Sequence, residues 1–152
     1  MIQHIKCNIF ESGVDIILHQ VNCQGVMGSG VAKQVKERYP NVFRGYKLVC
    51  DWCEDKSELF GIAEVYHTKD SIIVNLHAQE NYGYDGKCYT DYDALKRCLI
   101  EVADHIATEL DTIAIPYLMG CHRGGGEWNK VYKMIEEILG DYNVLICEYD
   151  GG

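Results

Sequence analysis

Two glycine-rich segments, NCQGVMGSG from Asn22 to Gly30 and GCHRGGG from Gly120 to Gly126, each lie between an apolar run and a stretch with helical spacing. Glycine adopts left-handed backbone without cost and lets a ligand approach the main chain. A strand, a glycine loop and a helix in that order therefore gather amide N–H groups and a helix dipole around an anion. Two such units in one chain call for an α/β fold, where strand ends and helix starts share one edge of a sheet.

The flanking segments fill in that fold. Ile2 to Cys7 alternates as a strand, and Asp15 to Val21 (DIILHQV) is apolar enough for a strand covered on both faces. Val31, Val35 and Tyr39 mark a helix that Pro40 stops, and Val42, Phe43, Tyr46, Val49 and Cys50 mark a second one ending near Glu54. Ile62 to His67 and Ser71 to Leu76 read as a hairpin around Thr68-Lys69-Asp70, and Ala78 to Tyr89 as a long loop. Thr90 is the expected cap of an amphipathic helix running to about Leu110. A strand at Thr112 to Pro116, a helix at Glu127 to Leu139 and a strand at Asn143 to Glu148 complete the chain. The expected architecture is a three-layer α/β/α sandwich with a mixed, roughly six-stranded sheet, and residues 1–150 form one domain.

Composition narrows the partners. A formal charge of −9 opposes broad binding to nucleic acid, which depends on lysine and arginine, whereas backbone donors hold a small anion whatever the net charge. No apolar run reaches membrane-spanning length, and the first residues do not form a secretory signal, so a soluble cytoplasmic protein is expected. The eight cysteines lie in or beside apolar segments, as reduced thiols do; Cys50 and Cys53 have no second pair with zinc-site spacing, so neither a metal nor a cofactor is expected.

The glycine loops do not match the common nucleotide motifs. No GxxxxGK[ST] is present, and no acidic strand residue follows GVMGSG at dinucleotide-binding spacing. Instead HQVNCQGVMGSGVAKQVKERYP and IPYLMGCHRGGGEWNKVYKMIEEIL together resemble the macrodomain family, through an NCxGxxGxGxA core and a GCxxGGGxW segment. The likeness spans nearly the whole chain and points to the branch of ADP-ribose 1″-phosphate phosphatases and terminal ADP-ribose glycohydrolases.

That resemblance implies an ADP-ribose site. Asn8 and the amide of Ile9 would meet adenine, with Tyr149 stacking on it. Asn22, Gln24, Gly28, Ser29, Gly30 and Val31 would hold the distal ribose and one phosphate. Gly120, Cys121, Arg123, Gly124, Gly125 and Gly126 would wrap the pyrophosphate. The lysine and aspartate that act in the glycohydrolases of this branch fall on Gln79 and Gly124, so that lysine mechanism is not implied. Two imidazoles remain as catalytic candidates: His122 within the second loop, and His19, which matches a histidine of the branch's phosphatase but also suits a core position.

Other residues have plainer readings. Trp128 is expected to pack a helix start, Cys23 and Cys121 lack an evident activating partner, and Tyr82 and Tyr84 either cover the ribose or only their own loop. The expected function is hydrolysis at the distal ribose of an ADP-ribose derivative, free or attached to a macromolecule. The alternatives are a non-catalytic module that captures such nucleotides and, third, a protein-contact module using the tyrosine-rich loop.

Overall fold

A computed structural model describes residues 1–83, 85–121 and 124–149. Six strands form one sheet in the order β1-β6-β5-β2-β4-β3, with β1 at Ile2–Lys6, β2 at Ile16–Asn22, β3 at Ala63–His67, β4 at Ile72–Gln79, β5 at Thr112–Pro116 and β6 at Asn143–Glu148. Every neighbouring pair is parallel except β3 with β4, so the sheet is mixed as expected.

Helices α1 (Gly30–Arg38) and α2 (Pro40–Trp52) lie against one face; α3 (Tyr92–Glu101) and α4 (Trp128–Leu139) lie against the other. Strand alternation divides the core accordingly. Ile16 and Leu18 of β2 join Leu95, Leu99, Val131 and Ile135 beneath α3 and α4. Ile17 and Val21 join Val35, Val42 and Tyr46 beneath α1 and α2. Because five parallel strands end on the same edge, Lys6, Asn22, Gln79, Pro116 and Glu148 mark one rim, where both glycine loops emerge.

Several boundaries differ from the sequence reading: β4 runs past the expected Leu76 to Gln79, so Ala78 and Gln79 belong to the strand and not to the loop. Thr90 does not cap α3; the cap is Asp91, whose carboxylate accepts from the amide of Ala94 at 2.9 Å. Thr90 instead pairs with Gln79 in an isolated antiparallel bridge and is buried. The α-helix also ends at Glu101, not near Leu110, and continues as one wide turn, Val102–Ile106, in which the amide of Ala107 reaches back to the carbonyl of Val102. Asp111 then closes a tight turn by accepting from the amide and hydroxyl of Thr108, which leaves Leu110 in solvent. Among the described residues, no helix is long and apolar enough to cross a membrane.

Candidate functional site

The first glycine loop is shaped by the side chain of Asn22. Its Oδ1 accepts from the amide of Gln24 at 2.9 Å, and its Nδ2 donates to the carbonyl of Val26 at 2.8 Å. Tyr46, fully enclosed on α2, places its hydroxyl 2.8 Å from both the Asn22 carbonyl and Oδ1. The amide of Cys23 and the side chain of Gln24 both donate to the carbonyl of Glu80, tying the loop to the end of β4. Gly25 and Gly30 take φ of +79° and +61°, backbone that favours glycine, and Gly30 opens α1 directly.

The second loop is folded on a buried polar chain. Gln79 Nε2 donates to the carbonyl of Asn81, and Gln20 Nε2 donates both to Gln79 Oε1 at 2.8 Å and to Thr90 Oγ1 at 2.9 Å. The Thr90 hydroxyl donates in turn to the carbonyl of Gly120 at 2.7 Å. The amides of Tyr89 and Thr90 both donate to the carbonyl of Gly124. A Cβ on Gly124 would lie 2.5 Å from Thr90 Oγ1 and 2.6 Å from the Gly120 carbonyl, so packing alone excludes a side chain at this position. Leu118 holds a left-handed φ of +63° on the same turn, a conformation disfavoured for a residue with a Cβ.

Both loops wall one open cleft of about 510 Å³. Asn22, Gly28, Ser29, Gly30 and Val31 form one side; Gly120 and Gly124 form the other. His19, midway along β2, and Gln79, at the end of β4, also line the cleft, as do the exposed Tyr82 and Tyr149. The start of α1 and the second loop thus line the same cleft.

Other expected residues lie outside this wall. Asn8 caps the short turn Ile9–Glu11 by accepting from the amide of Phe10, and Ile9 is buried in the core beneath α1 and α2. Gln24 turns toward Glu80, while Cys121, Gly125 and Gly126 belong to the second loop but do not wall the cleft. His122 and Arg123 lie outside the described residues, as does Tyr84.

His19 is 2% exposed, and its Nε2 sits 2.6 Å from Asn75 Oδ1. Because that oxygen only accepts, Nε2 carries the ring proton and Nδ1, which has no partner among the described residues, keeps a free lone pair. Burial pushes the ring's pKa from 6.5 down to about 4, against the opposing pull of Asn75, so the imidazole is neutral near pH 7. Behind it, His77 and Glu64 form a buried pair, and His77 Nδ1 lies 3.8 Å from Cys23 Sγ. This resembles a nucleophile and its base, but burial pushes the Cys23 thiol up to about 12 and the residue has no exposed surface. Burial likewise raises Cys121 to about 11. Trp128 packs edge-on to Tyr117, with ring centres 5.3 Å apart, in keeping with the expected packing role. Among the described residues, no group of three or more His, Cys, Asp or Glu side chains is placed to hold a metal ion.

Sequence reasoning missed Gln20, Tyr46 and Thr90. Gln20 carried a signal, being polar beside His19 in a largely apolar strand; Tyr46 read as an ordinary core aromatic, and Thr90 as a helix cap.

A layered sheet with two glycine turns lining one cleft at the carboxyl edge is the arrangement of the macrodomain fold. No family model matches the chain. It is 27% identical to an uncharacterised 17.5 kDa protein of enterobacteria phage T4, over 99% of this chain and 97% of that protein. It is also 27% identical to the DNA ADP-ribosyl glycohydrolase of Thermus aquaticus, over 91% of this chain but only 38% of that enzyme's length. Identity to the ADP-ribose 1″-phosphate phosphatase of Saccharomyces cerevisiae is 25%, over 97% of this chain and 98% of the phosphatase.

Solved structures agree. The macrodomain of Mycobacterium tuberculosis DarG superposes with a TM-score of 0.76 at 25% identity, covering 97% of each chain. Thermosipho africanus DarTG in complex with ADP-ribose gives 0.79 at 22% identity, over 99% of this chain and 42% of that one. The chain thus shares the macrodomain fold and resembles macrodomain proteins along nearly its whole length.

Proposed function

We propose that this chain binds ADP-ribose or a close derivative in the cleft and hydrolyses it at the distal ribose, as an ADP-ribose 1″-phosphate phosphatase or an ADP-ribosyl hydrolase. One observation carries the reading: two glycine turns, from separate strands, wall the same 510 Å³ space. A diphosphate needs donors on both sides, and such turns supply them from the main chain. The names of the Thermus and yeast relatives point to the same ligand class.

In this reading adenine lies toward Tyr149, with Asn8 and Ile9 beyond the end of β1 on the same side, and the distal ribose lies toward Asn22, Gln79 and His19. His19 is one candidate for the base that takes a proton from the attacking water: its ring is neutral with a conjugate acid near 4, although its unpaired Nδ1 is enclosed. His122 is the other candidate for this role and Arg123 the candidate brace for a phosphate. Residues 1–150 act as one domain in the cytoplasm, on a free nucleotide or an ADP-ribosylated macromolecule, without broad affinity for nucleic acid.

A second reading, capture of the nucleotide without turnover, is favoured by a specific feature. Both ends of the Gln79 amide are occupied by hydrogen bonds, and Gly124 has no room for a carboxylate, so neither position supplies a reactive group. Calorimetry with ADP-ribose tests binding. Phosphate release from the 1″-phosphate and removal of ADP-ribose from modified protein or DNA test turnover. Binding with turnover of one of these supports the enzyme, binding alone supports capture, and no binding refutes both. If His122 is the base, His122→Ala abolishes turnover and spares binding; unchanged turnover leaves that role to His19.

A further inference from the structure

The buried chain of hydrogen bonds beneath the second loop has a defined direction. Gln20 Nε2 uses its two protons on Gln79 Oε1 and Thr90 Oγ1, so the Thr90 hydroxyl proton is left to point at the Gly120 carbonyl. The same carbonyl accepts from the amide of Gly126 at 2.9 Å, which fills both of its lone pairs. The Thr90 amide, 3.0 Å from the Gly124 carbonyl, draws in a second oxygen. Thr90 is 6% exposed and does not wall the cleft, so both carbonyl dipoles point away from the space where an anion would sit. A carbonyl turned toward that space would repel a phosphate, so holding both oxygens inward removes that repulsion, while the Cys121 amide of the Gly120 peptide is spent on the Leu118 carbonyl at 2.8 Å.

We infer that Thr90 is a positioning residue whose hydroxyl sets the second glycine turn in its anion-receiving form, linking that turn to Gln20 and Gln79 at the distal end of the cleft. The inference rests on the ADP-ribose reading and deepens it, since it assigns the pyrophosphate affinity in part to a side chain that never touches the ligand.

Thr90→Val replaces the hydroxyl with a methyl of like size, and Thr90→Ser restores it. Calorimetry with ADP-ribose and with AMP, which lacks the pyrophosphate bridge, separates positioning from general damage. Thr90→Val is expected to weaken ADP-ribose about tenfold while AMP stays within about twofold, the size of effect that loss of a buried hydrogen bond produces. Thr90→Ser should bind both as the native protein does. Amide exchange in the ligand-free protein gives a second measure: the Gly126 amide should exchange about tenfold faster in Thr90→Val and not in Thr90→Ser. Equal losses for both nucleotides, or a Thr90→Val variant that binds ADP-ribose natively, would overturn the inference. Should native protein bind no ADP-ribose, the nucleotide reading fails by itself; unchanged Gly126 exchange would then overturn the positioning role of Thr90 as well.

Discussion

Tyr46→Phe isolates the hydrogen bonds that shape the first glycine loop. The tyrosine ring is fully enclosed, and only its hydroxyl reaches Asn22, 2.8 Å from the main-chain oxygen and 2.8 Å from Oδ1. Phenylalanine keeps the ring, so no large cavity opens and the loss is that of one donor shared between the two Asn22 oxygens and, at 3.5 Å, the Val26 carbonyl. A buried hydrogen bond contributes about 1 kcal/mol net, and leaving an acceptor short raises the cost toward ~2 kcal/mol. In a domain of this size that lowers Tm by roughly 2–8 °C. Burial also holds the phenol far above its ordinary pKa, so the hydroxyl remains a donor at every accessible pH and the effect does not depend on buffer. Urea unfolding should show a lower midpoint at an unchanged slope, and calorimetry a loss of about five- to tenfold in ADP-ribose affinity. A variant with native midpoint and native affinity would refute the claim that Tyr46 shapes the loop.

Further outcomes test other parts of the account. Gly30→Ala meets open space but a φ of +61°, so it should cost about 1–2 kcal/mol by backbone strain alone, read as a lower urea midpoint. Because the folded-state pKa of His19 is near 4 and the unfolded value 6.5, the unfolded chain takes up the proton first as pH falls. Stability is therefore retained above pH 6.5 and falls between 6.5 and 4 by up to ~3 kcal/mol, and His19→Gln should remove that part of the slope. Cys88 is exposed whereas Cys23 and Cys98 are buried with thiols pushed up to about 12, so alkylation of native protein at pH 8 should label Cys88 well before either.

Much of this was legible in the residues themselves. The apolar run of β2, the glycines after it and the helical spacing from Val31 onward state a local structure that tertiary packing had no reason to change. The hairpin at Thr68 to Ser71 announced itself through polar turn residues between β-branched strands. Thr90 did not. Threonine before an amphipathic stretch looks like a cap, but Asp91 stands next to it and a carboxylate caps as well; which of the two faces the helix depends on Gln79 and Gly124, remote in sequence. The end of α3 was likewise hidden, because Ala103 to Ile106 keep helical character while the wide turn re-aims the chain. Gln24 shows the same limit, since its type suits a ligand contact and only the nearby Glu80 carbonyl determines where it points.

The account depends most on the two glycine turns receiving a single diphosphate, and a crystal structure with ADP-ribose bound measures this directly. The expected result places the pyrophosphate between the start of α1 and the Gly120–Gly124 turn, within hydrogen-bond reach of main-chain amides on both sides, with the distal ribose beside Asn22 and His19. Density for the nucleotide elsewhere on the molecule, or against one turn only, would contradict it.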